Sequence, residues 1–199
     1  DTPVTSDLTL YAQWNTQYVF EAEDVDVSDI NSWGFSGNAT GTMVICQDAG
    51  GVAGASNGYY TWCLNNYGVT LDFVITSDRA VQDAELIVSL SADIRDIYLT
   101  ASGDPDVDPV YRFVVNGEDI AYQDIYLDNV PGQGSGEVKP FQDYVIGNID
   151  LVEGENHIQL ITANNVGQGG TMTAIAPMVD CIKVTTNAVL TFHKTEGQY

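Results

Sequence analysis

Glu21-Ala22-Glu23 places two carboxylates two residues apart. On a β-strand that spacing puts both on one face, roughly 7 Å apart along the chain. Like charges held together repel, so the pair reads in two ways: as a solvated outer face in an acid-rich chain, or as two arms around a cation. Oxygen-only donors suit a hard ion such as Ca2+. Asp180 bears on the choice, because it shares strand parity with Ile182 and Val184, whose apolar side chains mark a core-facing row. A carboxylate that starts from the buried side needs a partner, and the chain has only 6 Lys and Arg to offer. A metal shared with the first strand would satisfy it.

Other chemistry is thinly supplied. Asp104, Asp106 and Asp108 alternate as in a calcium loop, but Pro105 and Pro109 stiffen the segment and the Gly and distal Glu of such a loop are missing. A solvated connection is expected there, with no second metal. The two histidines, His157 at a strand start and His193 near the end, support no Ser/His/Asp or Cys/His arrangement. No G-x-x-x-x-G-K phosphate cradle is present. Cys46, Cys63 and Cys181 are odd in number, so at least one is unpaired within the chain. They read as small buried hydrophobes or as a Cys46–Cys63 disulfide with one thiol over, and the count alone does not fix a redox compartment.

The elements that must position these residues alternate in hydrophobicity with period two. Val69, Leu71, Phe73 and Ile75 share one face, and Ala84 to Leu90 repeats the pattern. Tyr111 to Val115 runs into Asn116-Gly117, a dipeptide that accepts the positive φ angles of a tight hairpin. His157 to Ile161 follows a second turn signal at Gly154-Glu155-Asn156, and Asp180 to Val184 closes the set. Short strands at this spacing with no βαβ alternation predict an all-β antiparallel sandwich. At 199 residues the chain has room for one large β domain or a domain with a fragment attached. Its 28 acids against 6 bases give a net charge of −22, which argues against nucleic-acid and anionic-membrane partners. With 44% hydrophobic residues it has the material for a core, so disorder is not expected. No run approaches the ~20 apolar residues of a membrane helix.

Two stretches of the chain resemble known families. Asp7-Leu8-Thr9-Leu10-Tyr11-Ala12-Gln13-Trp14 resembles the closing strand of the internalin-type B (Listeria–Bacteroides) repeats of bacterial surface proteins. That resemblance implies a segment of a longer exported, secreted or cell-surface chain. Residues 1–16 would then end a preceding repeat, 17–186 would form the module of interest, and 187–199 would be a linker.

From Tyr18 to Val184 the chain is similar to the carbohydrate-binding modules of families 6 and 35. The residues that carry the likeness are Tyr18-Val19-Phe20-Glu21-Ala22-Glu23, Asn57-Gly58-Tyr59-Tyr60, Val114-Val115-Asn116-Gly117, Leu151 to Ile158, and Pro177-Met178-Val179-Asp180-Cys181-Ile182. The resemblance implies a jelly-roll, galactose-binding-like sandwich and a monomeric, non-catalytic module. It also implies that Glu21, Glu23 and Asp180 ligate a structural calcium, with backbone carbonyls from the Gly50 to Gly58 region. That assignment takes up the carboxylate pair best placed for glycoside hydrolysis.

The sugar site carries over less completely, since Met178 stands where many members place a sugar-binding Asn. Phe141 and Tyr144 hold the places of a W-x-x-W pair; Phe141 is the ring expected to stack on a sugar, and Tyr144 is expected to pack. Trp33, Trp62, Asn164 and Asn165 complete the candidate carbohydrate contacts. A neutral polysaccharide is the expected ligand. An adhesion or spacer domain that binds protein, or no glycan, is the competing expectation.

Overall fold

A computed structural model describes residues 14–28, 44–47, 54–62, 70–92, 97–99, 111–127, 140–162 and 177–194. Its strands are β1 (Thr16–Glu21), β2 (Asp26–Ser28), β3 (Val44–Gln47), β4 (Tyr59–Trp62), β5 (Thr70–Ser77), β6 (Val81–Ser91) and β7 (Ile97–Leu99). The second half adds β8 (Tyr111–Val115), β9 (Glu118–Ile120), β10 (Ile125–Leu127), β11 (Gln142–Leu151), β12 (Gly154–Thr162), β13 (Met178–Thr186) and β14 (Leu190–Phe192). One sheet runs β11-β6-β13-β4-β3, with β1 also on β13; the other runs β14-β5-β12-β8-β9, with β2 on β5. A short β10-β7 ribbon stands apart from both. Each of these pairings is antiparallel.

The expected period-two faces meet in the middle. Leu71, Phe73 and Ile75 of β5 pack with Leu86, Val88 and Leu90 of β6, Ile158 and Leu160 of β12, and Ile182 and Val184 of β13. Each fully buried aliphatic or aromatic side chain stabilises by about 1.5–3 kcal/mol relative to exposure. Polar positions between them in β5 and β12, Asp72 and Gln159, are partly exposed, whereas in β6 the alternate positions Ile87 and Ser89 are buried as well.

Two asparagines hold two turns, the β8–β9 hairpin of the second sheet and the connection from β11 of the first sheet to β12 of the second. Asn116 (φ 50°) and Gly117 (φ 88°) both lie in the left-handed region, as a two-residue hairpin of this hand requires. The Asn116 carboxamide accepts the His157 N–H at 2.9 Å and donates to Asn156 Oδ1 at 2.9 Å. Asn156, fully buried, accepts the Val152 N–H and donates to the Val152 and Gly154 carbonyls. It therefore holds the β11–β12 turn closed from inside.

The structure departs from the sequence expectation at the C-terminal end of the proposed module. Residues 187–194, expected to begin a linker, belong to the sandwich: β14 pairs with β5, and Phe192 packs on Phe20 and Phe73. Ala188 and Leu190 are buried. Two apolar residues spaced for one face were enough to add a short edge strand, although Asn187 before them is a turn former. Residues 1–13 of the segment expected to end a preceding repeat, and the connection expected at 104–109, lie outside the described residues. Among the described residues no helix is long and apolar enough to cross a membrane.

Candidate metal centre and neighbouring surfaces

Glu21 is the last residue of β1, and the chain then turns through a single 3-10 turn, Ala22–Asp24. The strand spacing expected to align Glu21 with Glu23 is therefore broken at Ala22. The turn nonetheless folds Glu23 inward, where it is 0% exposed and still feels the Glu21 charge, but Glu23 does not join the close group formed by Glu21, Asp180 and Cys181. Across from them β13 shifts register between Val179 and Ile182. A bulge of this kind re-aims side chains, and here it buries Asp180 and Cys181 consecutively. The parity argument thus placed Asp180 on the right side for an incomplete reason.

The segment leading into β4 joins these pieces. Gly54 (φ 94°) and Gly58 (φ 78°) take left-handed conformations that shape it around Ser56 and Asn57. The Ser56 N–H donates to Asp180 Oδ1 at 2.9 Å, and its hydroxyl donates to Glu21 Oε2 at 2.5 Å. Asn57 Nδ2 donates to Glu23 Oε1 at 3.2 Å, and the Cys181 thiol donates to Asp180 Oδ2 at 3.3 Å. Lys194 Nζ pairs with the buried Asp24 beside the turn. One oxygen is left over: Glu23 Oε2 is buried with no hydrogen-bond partner.

Burial is the largest influence on the carboxyls of Glu21, Glu23 and Asp180. It raises Glu21 and Asp180 above the ordinary carboxylate range and pushes Glu23 up to about 7. Neighbouring acids add to the effect, Asp180 and Asp24 on Glu21, and Glu21 and Asp24 on Glu23. A centre that holds three acids against desolvation, with one oxygen unsatisfied, fits a hard cation that would supply the missing charge. Atoms of Glu21, Asp180 and Cys181 come within 4.8 Å of one another, close enough to share one ion. The Gly50 to Gly58 region was expected here through its backbone carbonyls; the side chains of Ser56 and Asn57, and those of Cys181 and Lys194, were not expected.

The expected carbohydrate contacts fare unevenly. Trp33, Asn164 and Asn165 lie outside the described residues, and Trp62 is placed in β4 without a described side chain. Phe141 is half-buried, its ring 5.3 Å from that of Tyr60, and Met178 packs with both at 2% exposure. Tyr144 packs against the core as expected, with its hydroxyl 3.3 Å from Gln142 Oε1.

On the other side of β11 lies a cavity of about 150 Å3, lined by Leu90, Ala92, Tyr126, Pro140, Gln142 and Tyr144, together with Ser91 and Leu127. None of these lining residues is charged. Tyr126 is 54% exposed at its mouth. A cavity of this size is room for one six-membered ring, and its tyrosines and glutamine offer both an apolar face and hydrogen-bonding groups.

A third polar cluster sits on the outer face of the second sheet. His157 Nδ1 is 2.9 Å from Asp72 Oδ2, and Gln159 Nε2 donates to the same carboxylate at 3.1 Å. The Asp72 contact is the largest cause that holds His157 above its ordinary value. No serine or cysteine completes a nucleophilic arrangement with it among the described contacts.

The sequence matches no family model and no curated protein. Solved structures do match. The family 35 carbohydrate-binding module from Cellvibrio japonicus Abf62 is 13% identical, with a TM-score of 0.53 over 89% of this chain and 97% of its own. A family 35 carbohydrate-binding module from Clostridium thermocellum is 15% identical, with a TM-score of 0.51 over 85% of this chain and 97% of its own. A third, described as Xyl-CBM35 in complex with a glucuronic acid-containing disaccharide, is 14% identical at a TM-score of 0.50, covering 89% of this chain and 98% of its own. At these identities the likeness is one of architecture, and it makes this chain a β-sandwich of the kind built by family 35 carbohydrate-binding modules.

Proposed function

We propose that this chain is a non-catalytic carbohydrate-binding module of an exported bacterial protein, stabilised by one structural calcium. The observation that carries the glycan reading is the fold shared with family 35 modules over nearly the whole chain. The uncharged cavity beside Tyr126 and Tyr144 supports it and gives the sugar ring a place. Ring stacking of a tyrosine on the apolar face of a pyranose, with Gln142 reading a hydroxyl, needs no ionic partner.

For the metal, the supporting observations are the orphaned buried oxygen of Glu23 and the approach of Glu21 and Asp180 to within 4.8 Å of each other. Those three carboxylates would hold the ion, with Ser56 and Asn57 steadying them. Calcium would neutralise the cluster and tie β1 to β13.

The Xyl-CBM35 neighbour takes a glucuronic acid-containing ligand. For this chain we favour a neutral glycan, because the described residues of the cavity lining include no cation to meet a carboxylate and the whole chain is at −22. One observation favours a second reading, an adhesion or spacer domain. Met178 stands where the resemblance places a sugar-binding Asn, and it is packed away between Tyr60 and Phe141. A glycan array probed in calcium separates the two: reproducible binding to one polysaccharide class supports the module, and a blank array supports the spacer.

A further inference from the structure

Cys181 does not belong in an oxygen-only calcium shell, yet it sits inside the candidate centre. In register β13 pairs it with Glu21, and its sulfur lies within 4.8 Å of ligand atoms from both Glu21 and Asp180. The thiol already points at the carboxylate it would share an ion with, donating to Asp180 Oδ2 at 3.3 Å. A second observation marks the place as one that wants a cation. Glu23, fully buried, has one oxygen on Asn57, next to the Ser56 that bridges Glu21 and Asp180, and its other oxygen has no partner among the described residues.

Sulfur is a poor donor for Ca2+ and a strong one for borderline-soft dications. Zinc holds sulfur at about 2.3 Å and carboxylate oxygen at about 2.0–2.2 Å, so its tetrahedral ligand atoms are roughly 3.5 Å apart. The Glu21, Asp180 and Cys181 atoms need to close by on the order of 1 Å to reach that geometry from their present limit of 4.8 Å.

We propose that this centre also takes Zn2+, or another thiophilic dication, through Glu21, Asp180 and the sulfur of Cys181, and that this ion and calcium exclude one another. The inference rests on the reading of the acid cluster as a cation site. Binding breaks the S–H bond, forms a metal–sulfur bond and releases the proton to solvent. The two ions compete because both need Glu21 and Asp180.

Cadmium is the probe, since its bond to a thiolate absorbs in the ultraviolet. The full chain, freed of metal and carrying Cys46→Ser and Cys63→Ser so that one thiol remains, is titrated with Cd2+. The expected result is a charge-transfer band that saturates at one ion per chain and disappears with Cys181→Ser. That substitution should weaken Cd2+ at least about tenfold. Calcium at a hundred times its Kd should raise the apparent Kd for Cd2+ about a hundredfold. Cadmium NMR of the unaltered chain gives a readout that does not depend on the variants folding, with a sulfur-ligated resonance expected. An oxygen-only cadmium resonance, or a band indifferent to calcium, overturns the proposal. If calcium raises Tm while Cd2+ gives no thiolate signal, only this inference fails; if neither ion affects the chain, the cation site itself is wrong.

Discussion

Glu23 has one oxygen bonded to Asn57 and no partner for the other among the described residues, and burial holds back its ionisation. The consequence is a pH dependence with a definite sign. Its folded value near 7 lies above the ordinary 4.5, so between those values the folded state binds more protons than the unfolded state. Stability from this group is fully present below about pH 4.5 and is lost as pH rises through about 7. Glu21 and Asp180 are raised too and act in the same direction. Without metal, Tm should fall from pH 5 to pH 8, on the order of 5 °C. Saturating calcium should remove the fall, and Glu23→Gln should reduce it. A metal-free Tm that is flat or rising over that interval contradicts the account of the centre.

Much of this site was legible as residue types and little of it as geometry. Asp180 could be named because a buried carboxylate in a base-poor chain needs a partner, and Glu21 and Glu23 by their spacing together with the family resemblance. That Glu23 leaves the strand on a 3-10 turn, and that a bulge buries Asp180 and Cys181 together, depends on contacts between segments more than a hundred residues apart. Strand periodicity carries no signal of either.

At the scale of elements, the β11–β12 turn shows what an apparently functional motif is for. Asn156 lies in the stretch that carried the family resemblance, and its carboxamide meets two backbone carbonyls, one backbone N–H and Asn116. Asn156→Ala would strand several buried polar groups at once and should destabilise the fold by about 3 kcal/mol, read from urea unfolding at constant m-value. A loss under 1 kcal/mol would mean that water replaces the clamp. On the outer face of the same sheet, Asp72 holds His157 above its ordinary value. Asp72→Asn should lower the His157 titration midpoint observed by NMR, and an unchanged midpoint would show that the contact is not populated.

The strands themselves were the most legible feature, because a one-residue slip moves a whole apolar row to the solvent and alternation therefore specifies the face. The edge strand β14 was not, since three residues with two apolar positions cannot be told from a linker without the neighbour they pair with. Lys194, which pairs with Asp24, was hidden for the same reason.

For the whole molecule, the balance of 6 bases to 28 acids sets how partners approach. Repulsion of an anionic polymer reaches about a Debye length, ~8 Å at physiological salt, whereas a neutral glycan meets no such barrier. A calcium ion held only by the folded state should add about 2.7 kcal/mol at a hundredfold excess over its Kd, or about 5–10 °C in Tm for a domain of this size. Chelator should reverse the gain, and Asp180→Asn should abolish the sensitivity.

The most direct test of the central claim is titration calorimetry of the calcium-loaded chain with neutral and uronic oligosaccharides from the same array, repeated with Tyr126→Ala. The account predicts saturable binding of a neutral sugar that changes little with salt and weakens roughly tenfold when the ring at the cavity mouth is removed. No heat with any neutral glycan, or tighter uronic binding that Tyr126→Ala leaves intact, would contradict it.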